Sequence, residues 1–392
     1  MADVQTELRE TLATRTGTDA GDWFLVFRAR HGMLVVLREL ARLHGEGSIV
    51  TQLLTCCTAV DPIIAAGLHP LYGDVSAKTL SLDAGTLPTD PSVMGIVDQH
   101  TFGYIDVASS RALRKAADER GAVLLEDCAH CVGRLATDDD DMPYADFSFH
   151  SFGVEKMLPT YFGGAVWVNP RMKDTQLHDA VAAALSSLPE PAGKLAKAMR
   201  SYRTQIRALN HMPAKLAHGL RERMVAHGSF EPAIAQGEMA GEVAHEPMRM
   251  DAWSCEQVIG PLEALPTSLD LRVAALDTYA RELADVHGVK VSRTLVGSGQ
   301  PLLRLAVNLP TNKEADDAIA GIAAAGLYAV PWYRPLLYPG VSDPRIYGYD
   351  GSLGTLPNTA ALTRGTVALP CDLSPARVHD VAKALRGAVV SR

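Results

Sequence analysis

From Ser48 to Val168 short apolar runs alternate with helical stretches, and this alternation constrains the chain more than any other feature. Ser48–Thr55, Leu68–Val75, Ser92–Val97, Val123–Asp127, Phe147–His150 and Ala165–Val168 read as strands. Helices are expected from the Asp61-Pro62 start signal to Gly67 and from Ser109 to Arg120. Strands that alternate with helices argue an α/β fold, with a mostly parallel central sheet and helices on both faces. Ligands of such sheets gather at the carboxyl ends of strands. Thr55-Cys56, His100 and Asp127 stand at those ends.

Upstream, the apolar run Trp23–Phe27 feeds Arg28-Ala29-Arg30-His31-Gly32. Met33, Leu34, Val36, Leu37, Leu40 and Leu43 then recur at helical spacing, so a helix is expected to begin near Gly32. A basic turn at a helix N-terminus is an anion site or simply a basic helix start with no ligand. Residues 1–20 are polar and read as a loose helix or arm.

Downstream, 171–227 is helical with breaks at Pro189 and Pro191, and 228–250 reads as a loop. Asp251 opens a helix, and a long helical stretch follows from Ser268 to Val286. A smaller α+β part begins near Val289: strand 301–308, helix 313–325, the run 327–332, a Tyr/Pro/Gly-rich loop over 333–354, helix 358–364 and a closing helix 374–389. The expected division is an arm (1–20), a large domain (21–265, with an insert-like 171–250) and a small C-terminal domain (266–392).

A net charge of -8 with interspersed signs offers no basic face, so nucleic acid is not expected as a partner. Cysteines 56, 57, 128, 131, 255 and 371 lack the spacing of a disulfide framework, and the first residues carry no export signal. A reduced, cytoplasmic protein follows. No apolar run approaches the ~18 residues of a membrane span.

The chemistry concentrates between Val123 and Asn169. One apolar run ends in Glu126-Asp127-Cys128-Ala129-His130, another in His150-Ser151, with Lys156 five residues on and Gly163-Gly164 beyond. An acid and an amine at neighbouring strand ends suit a cationic, phosphorylated ligand such as pyridoxal phosphate. A lysine amine can condense with its aldehyde and a carboxylate can keep its ring nitrogen protonated. Cys128-Ala129-His130-Cys131 carries metal-ligand types, but no second pair completes four ligands. The cysteines are therefore read as packed and no metal is expected. Asp138 to Asp141 read as a solvated loop.

The series Glu126-Asp127-Cys-Ala-His130, Phe147-Ser-Phe-His150-Ser151-Phe-Gly-Val-Glu155-Lys156 and Gly163-Gly164-Ala-Val resembles the cofactor region of the DegT-like nucleotide-sugar aminotransferases. These are fold-type I pyridoxal phosphate enzymes, and the likeness runs from about Phe27 through the C-terminal helix. It implies pyridoxal 5'-phosphate as cofactor, with pyridoxamine phosphate between half-reactions. By position it implies Lys156 as the Schiff-base lysine, Asp127 as partner of the pyridine nitrogen and Ser151 as a phosphate ligand. Arg28-Ala29-Arg30 falls at the family's phosphate turn. Cys56 stands where an aromatic stacks on the ring, so that His100 or His130 is expected to cover a face instead. Arg249 lies in the family's Asn-Tyr-Arg-Met-Ser-Glu signature, with Pro247 in place of the asparagine. Trp332-Tyr333-Arg334-Pro-Leu-Leu-Tyr338 matches a Pro-Leu-His segment whose histidine is missing. His100, Arg249, Tyr333 and Arg334 are the expected substrate contacts.

The resemblance implies a homodimeric aminotransferase that moves an amino group from an amino acid to a keto acceptor, a keto sugar or related natural-product intermediate. The alternatives are another pyridoxal phosphate-dependent carbanion reaction on a non-sugar substrate, or a non-catalytic, regulatory protein on the same scaffold.

Overall fold

The computed structural model describes residues 3 to 390; the outermost two positions at each end of the expected arm and C-terminal domain lie outside the described residues. A seven-stranded sheet forms the centre: β1 (Trp23–Val26), β2 (Ser48–Thr51), β3 (His69–Tyr72), β4 (Val93–Gln99), β5 (Val123–Cys128), β6 (Phe147–Ser151) and β7 (Gly164–Val168). Its order is β1-β7-β6-β5-β4-β2-β3. β3, β2, β4, β5 and β6 run parallel, whereas β7 is antiparallel to both β6 and β1. Strands buried on both faces need helices on both sides, which is why these segments read as continuous apolar runs.

The helices, in order, are α1 (Val4–Thr16), α2 (Ala29–His44), α3 (Asp61–Ala65), α4 (Val107–Arg120), α5 (Thr175–Ser186), α6 (Gly193–Asn210), α7 (Ala214–Ala226), α8 (Ala252–Glu263) and α9 (Leu265–Glu282). Asp106 caps α4 by accepting from the Ser109 amide, and Gly121 closes it in the left-handed region at φ 65°. Two segments differ from expectation. α2 begins at Ala29, not near Gly32, because Gly32 marks a close helix–sheet approach instead of a helix start. A Cβ there would meet Val166 Cγ2 at 2.2 Å. The N-terminal segment is no loose arm: α1 packs on α8 with Leu8 and Leu12 wholly buried.

Beyond α9, β8 (Lys290–Val291), β9 (Arg304–Asn308) and β10 (Thr366–Pro370) make a separate antiparallel sheet of order β10-β9-β8. The helices Asn312–Ala324 and Pro375–Val390 pack against each other beside it. The sequence did not announce β10. Its neighbour Gly365 permits it, since a Cβ there would lie 1.8 Å from the Leu309 carbonyl oxygen. The run 327–332 joins the sheet only through a bridge from Val330 to Ala368.

His31, in the first turn of α2, ties the 228–250 loop to the sheet. Its Nε2–H donates to the Ala244 carbonyl at 3.0 Å while Nδ1 accepts from the Met248 amide at 3.2 Å. The ring is therefore neutral, and burial drives its pKa down to about 3, against the opposing pull of Ala244. Burial likewise lowers His150 to about 4. Between these values and the unfolded ~6.5 the unfolded chain binds the extra protons, so stability drops as pH falls through that window. At pH 5 each histidine is expected to cost about 2 kcal/mol. Urea midpoints at pH 7 and pH 5 measure the loss, and His31→Gln should remove about half of the difference. Equal midpoints at the two pH values would contradict it.

Candidate active site

At the carboxyl ends of β2, β4, β5 and β6 lies a cavity of about 190 Å³. Strand register explains which side chains reach it. Gln99 pairs with Asp127 and Asp127 with Phe149, so all three project from one face. The alternate residues Asp98, Glu126 and Ser148 project from the other face, where Ser110 donates to Asp98 and Ser148 to Glu126.

Asp127 is half-buried. One carboxylate oxygen accepts from the Ala129 amide at 2.9 Å, and among the described residues no hydrogen bond reaches the other. Burial pushes its pKa up, and the Ala129 amide and the Lys156 charge only partly offset this. Lys156 follows β6 through Glu155, whose φ of 58° turns the chain in the left-handed region. Its amine lines the cavity with no hydrogen-bond partner among the described residues. Burial lowers its pKa, while Cys56 and Asp127 favour the charged form. Cys56, across the cavity, has its thiol pulled down by hydrogen bonds from Cys57 and Thr58 and by the Lys156 charge.

At the other end stand Ser151 and the start of α2, where first-turn amides lack intrahelical acceptors. Arg28 and Arg30 line this end, yet both guanidinium groups are braced by a segment some 200 residues away. Arg28 donates to Glu231 at 2.6 Å and to the Pro232 and Ala233 carbonyls at 2.8 Å. Arg30 donates to Glu238 at 2.6 Å and to the Ala233 carbonyl at 2.8 Å. Burial and Arg30 lower Arg28 to about 10, which leaves it cationic at neutral pH. Its Nε–H is buried with no acceptor among the described residues. The Ser151 hydroxyl accepts from the Gly153 amide at 3.2 Å and retains its proton for another partner.

Parallel rings form the remaining wall. His130 lies 5.7 Å from Trp332 at an interplanar angle of 6° and 6.4 Å from Tyr333 at 7°, with Phe102 in the same group. The Phe102 amide donates to His130 Nδ1 at 3.2 Å, which places the ring proton on Nε2. Burial, reinforced by Lys156, drives its pKa well down. His130 is thus a neutral N–H donor at the wall.

The structure brings Arg28, Ala29, Arg30, Cys56, His100, Asp127, His130, Ser151, Lys156 and Tyr333 to one cavity. His100 reaches it only at an edge, because its imidazole is held on the opposite face by Glu126 at 2.7 Å. Two expected substrate contacts lie elsewhere. Arg334 turns away from its neighbour Tyr333 to donate to the Thr366 carbonyl at 2.7 Å and to Asp316 at 3.0 Å. Arg249 pairs with Glu190 at 3.0 Å, outside the cavity. Sequence reasoning missed Gln99, Tyr161 and Tyr338 in the lining, whereas Thr55, placed with Cys56 at a strand end, does line it. Gln99, the last residue of β4 and a polar strand end, carried the one usable signal; Thr55 donates to it.

A family model described as the DegT/DnrJ/EryC1/StrS aminotransferase family matches residues 26–386. Over 128 residues the chain is 31% identical to the dTDP-3-amino-3,4,6-trideoxy-alpha-D-glucose transaminase of Micromonospora megalomicea subsp. nigra, covering 32% of this chain and 33% of that relative. The matched segments span about a third of the length of the curated relatives. Among solved structures, a 3-amino-5-hydroxybenzoic acid synthase superposes with a TM-score of 0.72 at 17% identity, covering 100% of this chain and 92% of that one. NtdA from Bacillus subtilis, solved with bound PMP cofactor, superposes with a TM-score of 0.70 at 14% identity, covering 100% and 78%. These two likenesses carry the fold.

Proposed function

This chain belongs to the DegT/DnrJ/EryC1/StrS aminotransferase family, and from that premise we propose that it is a pyridoxal 5'-phosphate-dependent aminotransferase acting on an amino acid donor and a keto acceptor. The observation that carries the reading is one cavity faced by both an unpartnered amine, Lys156, and a carboxylate with a free oxygen, Asp127.

The residues present fit the cofactor. An acid held high by burial gains most from a cationic N–H set against it, and Asp127 has an oxygen left for a pyridinium. The orphaned Arg28 Nε–H, the Ser151 hydroxyl and the first amides of α2 make a donor set for a phosphate. When bound, the cofactor supplies an aldehyde for amine condensation and a ring that draws electrons from the carbon losing its proton. Lys156, lowered by burial, takes that proton and returns it at the neighbouring carbon. Asp127, as a carboxylate, would keep the ring nitrogen protonated by accepting its N–H. His130 offers its neutral Nε2–H from the wall, and Trp332 and Tyr333 exclude water.

A keto sugar carried on a nucleotide, or a related natural-product intermediate, is the acceptor in this reading. The name of the 31% identical relative supports it. So does the presence of Tyr161, Tyr333 and Tyr338 in the lining, since tyrosines pair apolar faces with hydroxyl donors. The reading includes a homodimer in a reducing cytoplasm, supported by the family relation and by six free thiols. Residues 21–265 form the cofactor domain and 266–392 the smaller one, supported by the two sheets, which fall within residues 23–168 and 290–370.

Donor-dependent release of a keto acid, in one burst equal to enzyme without acceptor and continuously with a keto-sugar acceptor, tests the reading. No burst with any amino donor removes it and favours the regulatory alternative. The pH dependence with which the cofactor-free protein condenses with added pyridoxal 5'-phosphate offers a finer check. Cys56→Ser removes a negative neighbour of the Lys156 amine, so the amine loses its proton at lower pH and the profile should move down. An upward move would contradict this electrostatic coupling.

A further inference from the structure

Behind the cavity, on the opposite face of the sheet, lies a second group of reactive side chains that the transamination chemistry does not use. His100 follows β4, Cys128 ends β5 and Cys131 closes the turn after it, with its amide donating to the Cys128 carbonyl at 3.0 Å. A ring nitrogen of His100 and the sulfurs of Cys128 and Cys131 all lie within 4.8 Å of one another. All three residues are at most 1% exposed. His100 Nε2 is held at 2.7 Å by Glu126, which also accepts from the Ala136 amide at 2.6 Å and from Ser148. His100 Nδ1 is buried with no hydrogen-bond partner among the described residues. A buried polar atom of this kind calls for a partner such as an ion or a water.

We propose that His100 Nδ1 and the thiolates of Cys128 and Cys131 bind a zinc ion. Two thiolates and a neutral imidazole are the donor types zinc selects, at about 2.0 to 2.3 Å, so the group need only contract. Binding releases two protons, one from the Cys128 thiol and one held between Cys131 and His100, and the sum of the ion and two thiolates is neutral, which suits the apolar surroundings of Ile105 and Ala136. Glu126 on the far ring nitrogen is the carboxylate partner that orients metal-binding histidines and fixes which nitrogen is free. The Arg134 carbonyl, 3.3 Å from the Cys128 sulfur, is an oxygen at hand for the fourth position. The ligand set differs from the one the sequence suggested and rejected. His130 faces Phe102 and Trp332 across the cavity wall, and His100, 28 residues from Cys128 and brought beside it by the β4–β5 pairing, replaces it. The ion would pin the turn that carries Asp127 and His130, making it a structural support for the cofactor floor.

The full-length protein, kept reduced and stripped with a chelator, is titrated with cobalt(II) and then zinc(II). The expected result is one equivalent bound, with a thiolate-to-cobalt charge-transfer band that zinc abolishes. Cys128→Ser and Cys131→Ser should each weaken zinc binding at least about 10-fold, and Glu126→Gln about 10- to 100-fold. Cys255→Ser, a buried thiol elsewhere, should bind as the parent does. The cobalt band of the parent protein keeps the test valid if a variant misfolds. No charge-transfer band, substoichiometric zinc, equal binding by the Cys128→Ser/Cys131→Ser double variant, or a Cys128–Cys131 disulfide persisting under reductant would each overturn the proposal.

Discussion

Substituting alanine for Lys156 is expected to lower turnover at least about 10³-fold, because in the proposed reaction it removes the group that would condense with the cofactor and shuttle the proton. The amine has no hydrogen-bond partner among the described residues, so its loss breaks no structural bond and the fold should persist. Lys156→Arg separates chemistry from charge. Arginine keeps the cation beside Cys56 and Asp127 but holds its proton beyond pH 12 and cannot serve as base. Both variants should therefore be inactive, with circular dichroism unchanged. Keto acid release within about tenfold of the parent in Lys156→Ala would remove Lys156 from the chemistry.

Asp127→Asn carries the second-largest expectation, a fall in kcat of about 10²- to 10³-fold, the usual cost of deleting one preorganised electrostatic partner. The amide keeps the size of the acid and can still accept from the Ala129 amide, so the turn after β5 stays in place. What disappears is the charge that, in the proposed reaction, would favour a protonated ring nitrogen. The loss should fall on kcat more than on KM, since the interaction strengthens as the ring takes up electrons. An unchanged kcat would show that Asp127 serves only the turn.

These two residues were legible in the sequence because their signals are local. An apolar run that stops at Asp127 places an acid at a strand end, and the run ending at Ser151 puts Lys156 on the following loop. The strand–helix alternation set the parallel core in the same way. Residues with contacts far along the chain were read less well. Arg28 and Arg30 looked like an open basic turn, yet Glu231 and Glu238 brace both guanidinium groups and leave the Arg28 Nε–H, the Ser151 hydroxyl and helix amides as donors. Arg334 looked like a substrate contact beside Tyr333 but is spent on Thr366 and Asp316. α1 was read as a loose helix or arm, and its docking was missed because its apolar positions, Leu8, Leu12 and Ala13, are few and their partner α8 lies some 250 residues on.

The sequence by itself determined most strands and helices of the central sheet, its mostly parallel character and the pair of chemical groups at the ends of β5 and β6. Each follows from hydrophobic period and local turn chemistry, which neighbours along the chain encode. Only the tertiary structure decided which face each polar residue takes. Register between β4 and β5 sends Gln99 and Asp127 to the cavity, while Asp98, Glu126, His100 and Cys128 gather behind it. A one-residue slip would exchange the two sets. Nothing local in either strand records the pairing, because it is set by side chains that meet across the sheet.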